Sequence, residues 1–146
     1  MLIPDVNVLV GAHREENLDH AAHLAWLTEA GESAQPLGIP DVVLSGFIRI
    51  VTHPAVFSQP SSVGVALEAV RELRALPNFV SANPGPRHWP VFVQLCESTH
   101  ARGNLVPDAF IAAIALENGA ELITADGDFA RFPGLRWSHP AAPRSN

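Results

Sequence analysis

Three aspartates, Asp5, Asp108 and Asp126, fall where a strand ends or a helix begins, and their side chains offer only oxygen donors. Asp5 follows the short apolar run that opens the chain and precedes a second run, Val6 to Ala12. Asp126 follows Leu122-Ile123-Thr124-Ala125, with Asp128 two residues later as a weaker fourth acid. Asp108 comes directly after Pro107, at the start of a strongly apolar stretch. In open α/β sheets, ligands bind at the carboxyl ends of the strands, so these acids are expected on one edge. Carboxylates gathered on a wet edge repel one another unless a cation holds them, and oxygen-only donors suit Mg²⁺ or Mn²⁺. Such an ion positions and polarises phosphate and activates a water for in-line attack. Taken singly, each acid also has an ordinary use: Asp5 as a helix cap, Asp108 against a helix dipole, Asp126 in a turn with Gly127.

The elements that would position these acids can be read in order. A first strand stops at Asp5 and a helix starts at Val6. Asp19 can cap an amphipathic helix that ends near Gly31, and Gln35 to Ile39 forms a short strand. Pro40-Asp41 opens a third helix through Val51, stopped by Pro54. A loop over His53 to Ser62 precedes a helix from Val63 to Leu76. Phe79-Val80-Ser81 is a third strand, and Trp89 to His100 a further helix with Pro90 in its first turn. Ala109-Phe-Ile-Ala-Ala-Ile-Ala-Leu116 is apolar on every face, the mark of a helix buried between a sheet and other helices, and Asn118-Gly119 ends it. Leu122 to Ala125 and Leu135 to Trp137 supply the last two strands. Strands alternating with helices imply a parallel sheet covered on both faces. The expected fold class is α/β, one domain over residues 1–140 with a frayed tail at 141–146.

Composition removes several classes of function. No run approaches the ~20 apolar residues of a membrane span, and no signal-peptide pattern opens the chain; a cytoplasmic protein is expected. Cys96 is the single cysteine, a small core residue in a reducing compartment. The net charge of −6 argues against broad binding to nucleic acid. The basic residues are all arginine, which pairs with phosphate in bidentate fashion. A receiver domain or a dehalogenase-like phosphotransferase also sets Asp at a strand end but needs a Lys partner, which is absent. A dinucleotide-binding domain needs glycines after the first strand, and none occurs before Gly11.

Three segments then carry a resemblance over essentially the whole chain. Ile3-Pro4-Asp5-Val6-Asn7-Val8-Leu9, Arg102-Gly103-Asn104-Leu105-Val106-Pro107-Asp108-Ala109-Phe110-Ile111-Ala112-Ala113 and Leu122-Ile123-Thr124-Ala125-Asp126-Gly127-Asp128-Phe129 look like the PIN-domain ribonuclease toxins of VapC type. Pro86-Arg-His-Trp89 and Phe132-Pro-Gly-Leu-Arg-Trp137 extend the likeness. The resemblance implies a Mg²⁺-dependent endoribonuclease, a cognate antitoxin whose C-terminal segment covers the acidic crevice, and a homodimer. It also implies that Asp5 and Asp108 are the principal metal ligands, with Asp126 completing the cluster and Asp128 a weaker candidate. Asn7 and Asn104 would orient or supplement them.

One position departs from the pattern. PIN nucleases usually carry a Glu in the third helix, where this chain has Gly46 within Val43-Leu-Ser-Gly-Phe-Ile-Arg49. With one carboxylate fewer there is less charge to hold a second ion; Asp41 is a conceivable substitute, though capping already explains it. The alternative function is therefore a non-catalytic PIN-like module that binds RNA or a protein. Arg49, Arg87 and Arg102 are expected beside the crevice as phosphate contacts. His13, His20 and His23 are expected as ordinary histidines without zinc-ligand spacing, and Trp89 and Phe92 as core.

Overall fold

The computed structural model describes residues 1–142. Its strands are very short: β1 Leu2–Pro4, β2 Leu37–Gly38, β3 Phe79–Val80, β4 Glu121–Ile123 and β5 Arg136–Ser138. They form one sheet of order β3-β2-β1-β4-β5, and every neighbouring pair is parallel. Six helices join them: α1 Val6–His13, α2 His20–Glu32, α3 Asp41–Val51, α4 Val63–Arg74, α5 His88–Thr99 and α6 Leu105–Glu117. The single-domain α/β reading holds. The boundary expected at residue 140 is not decided, because residues 143–146 lie outside the described residues.

The central pair sets the site. β1 and β4 run side by side with Leu2 opposite Glu121, Ile3 opposite Leu122 and Pro4 opposite Ile123. Asp5 and Thr124 are therefore the next residues on each chain past the ladder, and the Asp5 amide donates to the Ile123 carbonyl at 2.8 Å. α6 leads into β4 and runs opposite to it, which brings the start of α6 to the same edge. That helix begins at Leu105, two residues before Pro107. Proline is tolerated there because the first four amides of a helix have no partner within it.

The middle strands are buried on both faces, so their sequences are continuously apolar instead of alternating. Ile3 and Leu122 are fully enclosed, as are Ala109, Ala112, Ala113 and Ile114 of α6. The small alanines let α6 lie close to the sheet, while Phe47 and Phe129 fill the larger gaps. Gly119, at φ +57, ends α6 in the left-handed conformation that glycine adopts without a Cβ clash. The acid expected to cap α2 does not: no side-chain bond joins Asp19 to that helix. Instead the Asn17 side chain accepts from the Asp19 amide at 3.0 Å.

Trp89 is a second departure. It is 65% exposed at the start of α5, whereas Phe92, one turn on, is half-buried against Phe110. Cys96 is half-buried and packs against the core as expected.

Candidate active site

Asp5 is the centre of a small polar network in an otherwise apolar wall. Its side chain is buried, and its Oδ1 accepts from the Val6 amide at 2.7 Å, so it does cap α1. Oδ2 accepts from Asn7 Nδ2 at 2.6 Å and from the Thr124 hydroxyl at 2.9 Å. The cap and the site are the same residue.

Thr124 is the residue that the sequence reading passed over. Fully buried, it donates to Asp5 and accepts from Asn7 Nδ2 at 3.0 Å and from the Asp126 amide at 3.0 Å. One donor and two acceptor positions are all a hydroxyl has, so its orientation is fixed. Asn7 is fixed too, because its Oδ1 accepts from the Ala125 amide at 3.1 Å. The β1–β4 register, with Pro4 opposite Ile123, places Thr124 opposite Asp5. Recognising it required knowing that β1 and β4 are neighbours.

Asp126 accepts from the Asp128 amide at 2.8 Å, which shapes the turn into the short 3-10 helix Gly127–Arg131. Here again the structural use and the site position coincide. Asp108, in the first turn of α6, is half-buried. Burial, then the charges of Asp5, Asp126 and Asp128, push its carboxyl up to about 6. Burial also raises Asp5, against the Thr124 and Val6 hydrogen bonds that lower it, and Asp126 adds to the rise. Asp5 and Asp126 thus meet at Thr124, and Asp108 lies within range of the charges of Asp5, Asp126 and Asp128.

Gly46 has a physical explanation. A Cβ built there would stand 2.8 Å from Val6 Cγ2, so the methyl of Val6 occupies the room a side chain on α3 would need. Asp41 does not replace the missing acid, since its carboxylate is held by Asn83 Nδ2 at 2.9 Å and approached by Arg74 at 3.5 Å. Asn104 is exposed and makes no side-chain bond to cap α6.

The arginines divide. Arg49 is exposed on α3 and lines a groove with Gly46 and with Val6, the residue after Asp5. Arg87 is not at the crevice. Its guanidinium donates to the Glu117 carbonyl at 2.8 Å, at the C-terminal end of α6, roughly 14 Å along the helix from Asp108 at 1.5 Å per residue. Arg102 is exposed in the loop before α6.

The donor chemistry fits a hard divalent cation: carboxylate oxygens that raise one another's proton affinity are relieved by a positive ion. Among the described residues, no three carboxylate, imidazole or thiol groups are already gathered at ligand spacing. Mg²⁺ retains several waters and is commonly held by one or two direct carboxylates, so its donor needs are met by oxygen ligands of this type. The histidines are separate: His20 bonds the Gly11 carbonyl at 2.9 Å and His13 the Ser61 hydroxyl at 3.2 Å. His23 is buried with neither ring nitrogen partnered among the described residues.

Known proteins resemble the chain along nearly its whole length. A family model described as PIN domain matches residues 2–135. A protein named VapC ribonuclease from Mycobacterium bovis is 49% identical over 140 residues, covering 96% of this chain and 95% of its own. Among solved structures, VapBC2 from Rickettsia felis bound to a promoter DNA fragment aligns with TM-score 0.69 at 17% identity, covering 94% and 97%. A toxin–antitoxin complex from Klebsiella pneumoniae aligns with TM-score 0.63 at 21% identity, covering 96% and 98%; at such identities these two speak for the fold. The chain belongs to the PIN-domain family, in its VapC-type branch.

Proposed function

We propose that this protein is a Mg²⁺-dependent endoribonuclease and the toxin of a toxin–antitoxin pair. The observation that carries the reading is the convergence itself. Asp5 after β1 and Asp126 after β4 are tied to one hydroxyl, Thr124, and Asp108 of α6 lies close enough to feel both charges. The ribonuclease name of the M. bovis relative supports the activity, and the toxin–antitoxin title of the K. pneumoniae structure supports a protein partner.

Asp5, Asp108 and Asp126 would hold the ion, with Asp128 at its margin; Mn²⁺ has the same donor preference. When bound, the ion supplies positive charge that positions the phosphodiester and lowers the pKa of a water. The chain's own residues do the rest. Thr124 and Asn7 fix Asp5 Oδ2, and the Val6 amide fixes Oδ1, so this carboxylate cannot swing away. Arg49 offers a cation to a neighbouring phosphate. Attack by water on phosphorus leaves a 5′-phosphate and a 3′-hydroxyl. The antitoxin would cover the acidic edge, and a homodimer and a cytoplasmic location belong to the same reading.

The test is cleavage of RNA by purified protein with Mg²⁺ or Mn²⁺, with and without EDTA, beside Asp5→Ala and Asp108→Ala. Cleavage that needs the metal and falls about 100-fold or more in both variants is expected, the loss of several kcal/mol of charge stabilisation. Wild type cutting no better than the variants sinks the nuclease and leaves a PIN-like binding module.

A further inference from the structure

Away from the four aspartates, helices α1 to α4 enclose an open cavity of about 370 Å³ that shares no residue with the acidic edge. Its lining grades from core to surface. Leu9 of α1 and Phe47 of α3 are fully buried at its base, Leu27 of α2 and Leu73 of α4 are half-buried, and Leu24 and Thr28 of α2 are exposed at its mouth. A cavity of roughly 300–1,000 Å³ with mostly apolar walls and a few polar groups is the usual form of a small-molecule site.

The polar groups of the lining carry one sign of charge. Glu32 and Glu72 are its two carboxylates, both exposed, and neither is in an ion pair among the described residues. The arginines that share α4 with Glu72 are engaged elsewhere, Arg71 with Glu68 and Arg74 with Asp41. His13 is the remaining titratable member. Its Nε2 is held by Ser61 at 3.2 Å and its ring stands edge-on to Phe47, with centroids 5.2 Å apart. Burial, then the charge of Arg14, lowers its pKa below 6.5, so near pH 7 the ring is neutral and supplies no cation to the two acids.

We propose that this cavity binds a small amphiphilic cation, an ammonium carried on a phenyl or branched hydrocarbon body. The hydrocarbon lining takes the body out of water. The two unpaired carboxylates at the rim attract the ammonium and repel an anion of the same shape. The site is independent of the ribonuclease reading, because none of the residues assigned to the metal or the phosphate takes part.

Three probes of one shape and different charge test it: phenylbutylamine, phenylbutanol and phenylbutyrate. Near pH 7 the amine is protonated and the acid ionised. Titrations of the full chain, followed by NMR at the methyl groups of Leu24, Leu27 and Leu73, should show the amine binding about threefold to tenfold tighter than the alcohol, the increment of one or two exposed ion pairs. Phenylbutyrate should bind weakest, and high salt should erase the order. Glu32→Gln with Glu72→Gln should bring the amine to the affinity of the alcohol and leave the alcohol unchanged. Ala69→Phe from α4 and Thr28→Trp from the exposed rim of α2 should each fill the space and abolish binding of all three; the second keeps the test intact if the first does not fold.

Equal affinity for amine and alcohol, or binding that survives Thr28→Trp, overturns the proposal. So does the absence of binding by every probe; if Thr28→Trp then also loses a co-expressed antitoxin, the cavity is a peptide site. RNA cleavage enters none of these readouts, so the nuclease and the cation site stand or fall separately.

Discussion

Asp108→Asn should make the metal-free protein more stable, and only above a certain pH. The native carboxyl titrates at about 6, against 3.8 for the ordinary group. Below pH 3.8 the group is protonated in both folded and unfolded chains, and the substitution removes nothing. Between 3.8 and 6 the unfolded chain ionises while the folded one resists, so stability is lost as pH rises and the loss is complete above 6. The full shift corresponds to about 3 kcal/mol. Asp108 is only half-buried, so solvent screening, together with the favourable helix N-terminus, reduces this to about 1 kcal/mol.

A chain of this size converts that to roughly 2–4 °C. Melting curves of wild type and Asp108→Asn in EDTA from pH 4 to 8 read it directly: coincident curves at pH 4 and a higher midpoint for the variant at pH 8. Mg²⁺ at about 100 times its dissociation constant should add about 2.7 kcal/mol to wild type and markedly less to the variant. A difference between the two proteins that does not change with pH would refute the reasoning, because its source is the cost of ionising a partly buried carboxyl beside Asp5, Asp126 and Asp128.

Further outcomes follow from single contacts. Thr124→Val keeps the shape but leaves Asp5, Asn7 and the Asp126 amide short of a partner, so denaturant unfolding should show a loss of about 1–3 kcal/mol alongside reduced cleavage, both regained in Thr124→Ser. Gly46→Ala should destabilise by about 1–3 kcal/mol through overpacking against Val6, and a double-mutant cycle with Val6→Ala should recover most of it. Gly11→Ala should be severe, since its Cβ would stand 1.7 Å from His23 Nδ1 inside a packed helix pair. Burial lowers the His23 pKa below 6.5, so its penalty appears as pH falls through 6.5 and is absent above; His23→Leu should flatten the acid side of the stability profile.

The acids were legible because strand ends and helix starts are local features. Asp5, Asp108 and Asp126 announce their places by what flanks them, and a parallel sheet then brings strand ends to one edge. Thr124 was hidden because its role depends on β4 lying next to β1, which no local pattern states. Arg87 was misplaced for a similar reason: its motif adjoins the loop before α5, but Glu117 draws that loop to the far end of α6 through the Gly85 and Arg87 amides at 2.8 and 2.9 Å. Trp89 looks like core at helical spacing with Phe92, yet the face it occupies meets no neighbour that buries it. The emptiness at Gly46 could be seen in the chain, but its cause, the methyl of Val6 across the helix pair, could not.

The ladder between β1 and β4 has three residue pairs. So short a ladder discriminates weakly between registers, and a slip of one residue would turn each side chain to the opposite face. The bonds from Asp5 to Thr124 and from Asn7 to Thr124 and the Ala125 amide lie directly beyond its last pair. They act as a polar latch that only the correct alignment closes. The chemistry of the edge and the alignment of the sheet are thus one arrangement, and substitutions at Asp5 test both together. Loss of activity in Asp5→Ala is informative about the ion only beside a measurement that the β1–β4 alignment survives, such as amide exchange at the Asp5 nitrogen.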